Sequence, residues 1–233
     1  PSGTFYDPVD IAPYLTKGTN TIAVLLWHFG KDGFSHINSG KAALLFEAIA
    51  PGLEIVSDAS WQCALYEAYQ NTEAPFPNYR MPESNIRFDA RQAITNWNRT
   101  SFEGSLPGAV CVGKAGKAPF GELVERPIPQ WKNSGLLSYV SVRESLRGDT
   151  LFCRLPYNAQ ITPYLKVEAE AGKTIHIRMD NYEGGSERNV RAEYITREGE
   201  QEYESYGWMN GHEVYYIIPE LSLIHISEPT RLR

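Results

Sequence analysis

The sequence predicts an all-β protein built from two antiparallel β-sandwich domains. Two observations lead to this prediction. Turn-forming residues, 19 glycines and 15 prolines, separate short apolar runs throughout the 233 residues. The 3.6-residue periodicity of amphipathic helices is almost absent. Short apolar runs with turn residues between them are typical of β-sandwiches and barrels, and the length suits one large β domain or two small ones.

The first half of the chain contains several short runs with the composition of strands. Residues 21–26 are the longest apolar run and follow a turn at 18–20, so they are predicted to form a buried strand. Residues 89–97 are predicted to hold a helical turn or a short helix. Further strands are predicted at 42–48, in the two halves of 55–63 and at 110–113.

The second half has a clearer strand pattern, with apolar residues at alternate positions. A turn at Ala171, Gly172 and Lys173 predicts a hairpin between the strands on either side. The segment 114–135 is predicted to connect a first domain at 1–113 to a second at 136–220. Strands are predicted at 137–144, 150–155, 161–168, 174–179, 193–196, 201–205 and 212–218.

Charge and composition argue against several classes of partner. The net charge is −6 and no Lys/Arg-rich stripe occurs, so nucleic acid is not an expected partner. A membrane span needs roughly 20 apolar residues, and the run at 21–26 is far shorter. Cys63, Cys111 and Cys153 have wide, irregular spacing, which predicts neither a disulfide framework nor a metal site. We therefore expect no cofactor, metal or membrane contact.

The two ends of the chain are unusual. The sequence begins with Pro1 and enters a strand-like pattern at once, so we expect the first sandwich to be truncated at its N-terminus. Residues 221–233 do not continue the preceding pattern and resemble the translation of a transposase-type sequencing adapter. We expect this tail to be non-native and to have no functional role.

Two groups of motifs resemble parts of known carbohydrate-active proteins. The Tyr-Asp-x-x-Asp-Ile pattern at 6–11 and the Gly-x-Asn-x-Ile pattern at 18–22 resemble strands of galactose-binding-like, jelly-roll sandwich modules. The remaining segments resemble the region before the catalytic domain of bacterial α-L-rhamnosidases, glycoside hydrolase family 78. Those segments are 78–83, 88–91, 126–131, 155–160, 166–182 and 207–213.

This resemblance implies that the chain carries no catalytic residue. The family places its acid and base carboxylates in a helical (α/α) barrel, which this sequence does not contain. The barrel of the same polypeptide would then be the main partner, and plant or bacterial rhamnose-containing glycans the possible ligands. A bacterial source leaves the cytoplasm, the periplasm and secretion all open as locations.

Two loops are candidate saccharide-binding sites, because sugars stack on aromatic rings while polar neighbours bind their hydroxyls. Trp27, Phe34 and His36 form the first candidate, with packing at the end of the sandwich as the alternative. The second is a long polar loop, for which surface ion pairing is the alternative. Its candidate residues are Asp180, Asn181, Tyr182, Arg188 and Arg191.

Three functions remain open on the sequence alone. The first is a structural support that packs on a catalytic barrel and shapes its cleft. The second is a carbohydrate-binding module for rhamnose-containing glycans. The third, an independent glycosidase, would require two carboxylates flanking the scissile bond, and no pair in the sequence is marked for that role.

Overall fold

The computed structural model describes residues 3–28, 30, 32, 38, 40–74, 85–117, 121–130, 132, 134–182, 190–218, 225–227 and 230–232. These residues belong to two compact units, each discontinuous in sequence. The first unit lies within Pro1–Lys31, Asn38–Leu65 and Ile94–Gln130, and the second within Asp32–Ile37, Tyr66–Ala93 and Trp131–Arg233.

The secondary structure of the described residues is β-strand with three single turns of 3-10 helix, at Ala12–Tyr14, Ala90–Gln92 and Asp180–Tyr182. The first eight strands are β1 Gly3–Tyr6, β2 Glu47–Ala50, β3 Leu53–Val56, β4 Tyr69–Asn71, β5 Ile86–Asp89, β6 Glu122–Glu125, β7 Leu136–Leu137 and β8 Ser141–Glu144. The other eight are β9 Thr150–Thr162, β10 Tyr164–Ala169, β11 Thr174–Met179, β12 Ala192–Ile195, β13 Gly199–Glu204, β14 Met209–Ile217, β15 His225–Ser227 and β16 Thr230–Leu232. The predicted all-β fold class is confirmed.

The first unit contains two small sheets and no buried core among its described residues. Strands β1 and β6 form a parallel pair, and β2 and β3 form a hairpin that turns at Gly52, where φ is +75°. No described residue of this unit is buried, and Ile49 and Leu65 are 77% and 83% exposed. Two-stranded sheets have little stability of their own, because they bury too little apolar surface.

The second unit is a sandwich of a large sheet and a small sheet. The large sheet has the order β4-β5-β12-β11-β14-β9-β16-β7, with β8 paired to β9, and the small sheet has the order β13-β10-β15. Most pairings are antiparallel, whereas β5 and β12 run parallel. The core lies between the sheets, where alternate residues of each strand point inwards. It includes Ile175 and Ile177 of β11, Leu165 and Val167 of β10, and Tyr216 of β14, all less than 3% exposed.

Several predictions for the first half are wrong. Residues 21–26 form no strand, and Val24 and Leu26 are 43% and 47% exposed instead of buried. Residues 110–113 form no strand either, and only the end of 42–48 belongs to β2. Strand-forming composition is insufficient, because a strand also needs a hydrogen-bonded neighbour.

The division of the chain also differs from the expected boundary at 114–135. Strands β4 and β5 belong to the second unit. Strand β5 pairs with β12, where Arg87 lies opposite Glu193 and Phe88 lies opposite Tyr194. The expected connector contains β6, which pairs with β1 of the first unit.

The hairpin predicted around Gly172 is wrong as well. Strand β10 pairs with β13 in the small sheet, and β11 pairs with β12 and β14 in the large sheet. The turn therefore carries the chain from one sheet to the other. Thr196 holds this turn: its Oγ1 accepts a hydrogen bond from the Lys173 backbone N–H at 2.9 Å and donates one to the Glu170 carbonyl at 2.5 Å.

The segment expected to be a non-native tail forms two short strands. Strand β15 pairs with β10 through three residues, and β16 pairs with both β9 and β7. The tail thus extends both sheets of the second unit.

Candidate functional site

The first predicted group of site residues lies mostly outside the described part of the chain. Phe34 and His36 are not among the described residues. Trp27 is described and is 50% exposed. The residue as a whole is therefore half exposed to solvent.

Asp180, from the second group, stabilises an irregularity in β14. It lies in the 3-10 turn that follows β11, and its Oδ1 accepts the backbone N–H groups of His212 at 2.7 Å and Glu213 at 3.1 Å. The pairing of β14 with β9 shifts register at this point, between Gly211 and Glu213. A Cβ on Gly211 would lie 2.2 Å from Asp180 Oδ1, so the close approach requires glycine. One carboxylate oxygen is thus already used within the fold.

The other residues of the second group differ in how far the structure describes them and in their exposure. Asn181 is exposed, only the backbone of Tyr182 is described, and Arg188 lies outside the described residues. Arg191 is buried, with 8% of the residue exposed. The structure therefore does not bring the described members of this group together into one open site.

Arg191 instead belongs to a buried ion pair with Glu193 on the outer face of the large sheet. The side chains are 9% and 2% exposed, and Arg191 Nη2 lies 2.6 Å from Glu193 Oε1. Arg191 Nε donates to the same oxygen at 2.8 Å, and Nη2 donates to the Glu73 carbonyl at 2.7 Å. The Asn85 side chain accepts the Arg191 backbone N–H at 3.1 Å. These partners favour a structural role for the Arg191 guanidinium.

Three further charged or titratable groups surround Glu193, and we call the whole set the Glu193 network (Glu73, Arg87, His176, Arg191 and Glu193). Arg87 faces Glu193 in the β5–β12 register, with 4.0 Å between Nη1 and Oε2. Arg87 also forms a close ion pair with Glu73. His176 faces Glu193 from β11, with 3.6 Å between Nδ1 and Oε1.

The surroundings of His176 disfavour its charged form. Burial lowers its pKa below the usual value of about 6.5, and this effect outweighs the nearby Glu193 carboxylate. Arg191 and Arg178 lower the pKa further, whereas Glu73 raises it. His176 is therefore neutral at pH 7.

Five described carboxyl groups have a shifted pKa, and in each of them the pKa is below its usual value. Hydrogen bonding to Arg87 lowers the pKa of Glu73, and hydrogen bonding to Arg91 lowers that of Asp89. Hydrogen bonds from side chains likewise lower the pKa values of Asp7, Asp58 and Asp149. A general acid for glycoside hydrolysis needs a raised pKa, so none of these five groups has the required property.

A second notable feature of the same unit is a group of six aromatic residues between the two sheets, which we call the aromatic cluster. Tyr203 of β13 stacks on Tyr194 of β12 at 4.8 Å and on Phe88 of β5 at 4.9 Å between ring centroids. Tyr69 contacts Phe88 at 4.7 Å and Tyr206 at 6.2 Å. Tyr66 completes the cluster, 5.1 Å from Tyr69.

The sequence interpretation missed both features, although the Glu193 network carries a sequence signal. Its charged residues alternate with core residues: His176 lies between Ile175 and Ile177, and Glu193 lies between Ala192 and Tyr194. Alternation of this kind predicts a polar second face of a sheet. The aromatic cluster combines segments about 130 residues apart, which no local pattern reveals.

Within the described residues, no set of three or more His, Cys, Asp or Glu side chains is arranged to hold a metal ion. The same part of the chain contains no helix with the length and hydropathy needed to span a membrane.

Together, the strands and the core define an all-β protein with a sandwich fold. A solved structure with a similar fold is the α-L-rhamnosidase from Dictyoglumus thermophilum, with a TM-score of 0.53 and 20% sequence identity over 76% of this chain and 20% of that chain. This chain thus corresponds to about a fifth of that enzyme's length. The identity is low enough that the likeness concerns the fold alone.

A GH78 family rhamnosidase from Bacillus sp. GL1 also matches, with a TM-score of 0.26 and 22% identity over 46% of this chain and 11% of that one. At this score it adds no argument. No family model and no curated protein matches the sequence.

Proposed function

We propose that this chain is a non-catalytic, β-sandwich portion of an α-L-rhamnosidase-like glycoside hydrolase. Its role is to pack on a catalytic (α/α) barrel of the same polypeptide and to shape the substrate cleft. The observation that carries the proposal is the fold likeness to the Dictyoglumus thermophilum enzyme, which covers 76% of this chain but 20% of that enzyme.

The electrostatics of the described carboxyl groups agree with this role. An inverting glycosidase needs an acid and a base about 6.5–9.5 Å apart. The buried carboxylate of Glu193 is bound by Arg191 and Arg87, and the pKa of Glu73 is lowered. Neither group is arranged to donate a proton to a glycosidic oxygen.

Activity of the purified chain tests the first half of the proposal. The full chain is incubated with 4-nitrophenyl α-L-rhamnopyranoside, beside an authentic α-L-rhamnosidase as positive control. We expect 4-nitrophenol release equal to that of buffer. Release that is abolished by Glu193→Gln, while circular dichroism shows an intact fold, would overturn the non-catalytic assignment.

Deletion tests the supporting role. In a polypeptide that carries this chain together with a catalytic barrel, removal of 136–220, which contains strands β7 to β14 of the second unit, should abolish soluble, active enzyme. The matched control removes 221–233 only, and it should retain activity. A barrel that folds and hydrolyses the aryl rhamnoside at full rate without 136–220 would refute the role.

The second candidate function is binding of rhamnose-containing glycans at Trp27, which the 50% exposure of this residue favours. Substitution Trp27→Ala should then abolish glycan binding and leave the melting temperature of the chain unchanged. A collapse of the fold would identify Trp27 as a packing residue instead.

A further inference from the structure

The two outer faces of the second unit differ in charge. On the outer face of the small sheet, Glu168 of β10 lies opposite Glu200 of β13. Lys166 lies opposite Glu202 in the same pair of strands. The three glutamates are exposed, whereas Lys166 is partly buried. Like charges on directly opposite residues repel, and only water screens them here, so burying these carboxylates against a partner would be costly. We call this surface the acidic face (Lys166, Glu168, Glu200 and Glu202).

The outer face of the large sheet instead combines arginines with aromatic rings. Arg143 of β8 lies over the ring of Phe152 of β9, with 3.8 Å between Cζ and the ring centroid. Phe152 contacts Tyr215 of β14 edge to face, with 4.9 Å between ring centroids. Arg178 of β11 has its Cζ 5.8 Å from the Tyr215 centroid. The four side chains therefore form a continuous row across four neighbouring strands.

Arg154 adds a third cation to this row. It is exposed on β9, and alternation along the strand places it on the same side as Phe152. The opposite residue on β14 is Glu213, whose Oε2 lies 3.5 Å from Arg143 Nη2. The three arginines outnumber this neighbouring carboxylate. On the adjoining strands, the Glu193 network pairs two arginines with two glutamates, so it does not offset the excess. We call the row the basic face (Arg143, Phe152, Arg154, Arg178 and Tyr215).

The composition and exposure of the basic face are those of a protein interface. The Arg143 side chain is 60% exposed, while Tyr215 is 6% exposed and Phe152 is partly buried. A guanidinium stacked on a ring is weakly hydrated, and its edge can still donate hydrogen bonds to a carboxylate. Tyr, Phe and Arg are enriched at protein interfaces, whereas Lys and Glu, which make up the acidic face, are depleted.

We propose that the basic face is the surface by which the second unit docks on the catalytic barrel. The barrel contributes carboxylates that pair with Arg143, Arg154 and Arg178, and the acidic face stays in contact with solvent. This inference rests on the proposed function and deepens it, since it names the docking face and the chemistry of the partner surface. An acidic glycan is the other partner that arginines could bind. The row of aromatic rings between the arginines favours a protein surface instead.

Phenylglyoxal, which modifies accessible arginines, tests the docking face. Its reaction with the full chain is compared, by mass spectrometry, with its reaction with a polypeptide that carries this chain together with a catalytic barrel. We expect modification of Arg143 and Arg154 to be severalfold slower in the longer polypeptide. Modification of Arg197 should be unchanged, because Arg197 is exposed at the turn before β13, on the small sheet.

Charge reversal supplies a second test. Arg143→Glu combined with Arg154→Glu should slow hydrolysis of the aryl rhamnoside by the longer polypeptide about tenfold or more, because like charges facing each other across an interface are strongly unfavourable. In the full chain alone, the same double variant should leave the melting temperature nearly unchanged, since both side chains are exposed. The matched control is Glu200→Lys with Glu202→Lys on the acidic face, which should retain activity.

Three results would overturn the docking face: equal reactivity of Arg143 and Arg154 in the two polypeptides, protection of Arg197 in their place, or full activity of the arginine double variant. If polygalacturonate protects the two arginines of the full chain and the barrel does not, the basic face binds an acidic glycan instead. A longer polypeptide that stays active without 136–220 refutes the proposed function and this inference with it. Loss of activity on that deletion, with Arg143 and Arg154 unprotected, refutes the docking face alone.

Discussion

Removal of the Glu193 carboxylate should destabilise the second unit more than any surface substitution. Glu193 is 2% exposed and pairs with Arg191, which is 9% exposed. In Glu193→Ala the guanidinium stays buried and loses both contacts to Oε1, at 2.6 and 2.8 Å. The guanidinium also donates a hydrogen bond to the Glu73 carbonyl.

The size of the effect follows from the loss of the carboxylate that pairs with a buried guanidinium. Breaking a buried ion pair by removing one partner costs about 3–5 kcal/mol. Glu193→Gln keeps the volume and an acceptor but replaces charge-assisted hydrogen bonds with neutral ones, so we expect a loss of about 1–3 kcal/mol. Replacing both partners, in Arg191→Met with Glu193→Leu, should be close to neutral or stabilising, because no unpaired charge remains.

Urea unfolding followed by circular dichroism and tyrosine fluorescence measures these differences. The midpoint should fall in Glu193→Ala at an unchanged m-value, which indicates altered stability and not an altered unfolded state. The control is Glu200→Ala on the exposed face of β13, expected within about 0.5 kcal/mol of the wild type.

Two results would refute this reasoning. A loss below about 1 kcal/mol in Glu193→Ala would show that water or a neighbour compensates Arg191. A double substitution that is as unstable as Glu193→Ala would show that the cost comes from lost packing and not from an isolated charge.

Three further predictions concern other parts of the second unit. Because the pKa of His176 is lowered in the folded state, protons favour the unfolded chain, so stability should fall as the pH drops below about 6.5; His176→Gln should flatten this dependence in melting curves between pH 7 and 5. Gly211→Ala should destabilise the second unit by about 1–3 kcal/mol because its Cβ would meet Asp180 Oδ1 at 2.2 Å. Gly108→Ala in the first unit, where a Cβ would have nothing within 4 Å, should leave the melting temperature of the chain unchanged; equal melting temperatures of the two variants would contradict the clash. Removal of 221–233 should lower the melting temperature by only a few degrees, and complete unfolding would show that β15 and β16 are integral strands.

The second half of the fold was largely predictable because strands such as β10, β11 and β13 alternate between buried and more exposed positions. Strand β11 has the predicted bounds, Thr174–Met179, since Ile175, Ile177 and Met179 all face the core. The same rule placed β12, β13 and β14 within a few residues. Alternating apolar residues show which face of a strand is buried. That face is the same whichever strand pairs with it.

Strand pairing could not be predicted in the same way. The turn at 171–173 looks identical whether β10 and β11 pair with each other or enter opposite sheets. The outcome depends on β13, which pairs with β10, and on β12 and β14, which flank β11. The apolar run at 21–26 shows the reverse error, since it has strand composition but no partner strand in the described structure.

The candidate sites show the same division. The sequence predicted binding residues in a polar, Gly-rich loop. In the structure, however, Arg191 forms an ion pair with Glu193, and Asp180 accepts hydrogen bonds from the backbone of β14. Tyr66 and Tyr69 lie about 130 residues from Tyr203 and Tyr206, and they become neighbours only when the chain has folded.

By itself, the sequence determined the all-β class and the faces of the later strands, because turn residues and alternation act over a few neighbouring positions. The tertiary structure alone decided which strands pair, that 66–93 joins the second unit, and which charged and aromatic side chains meet. Those outcomes depend on contacts between distant segments, whose free energy exists only after the sheets have packed together.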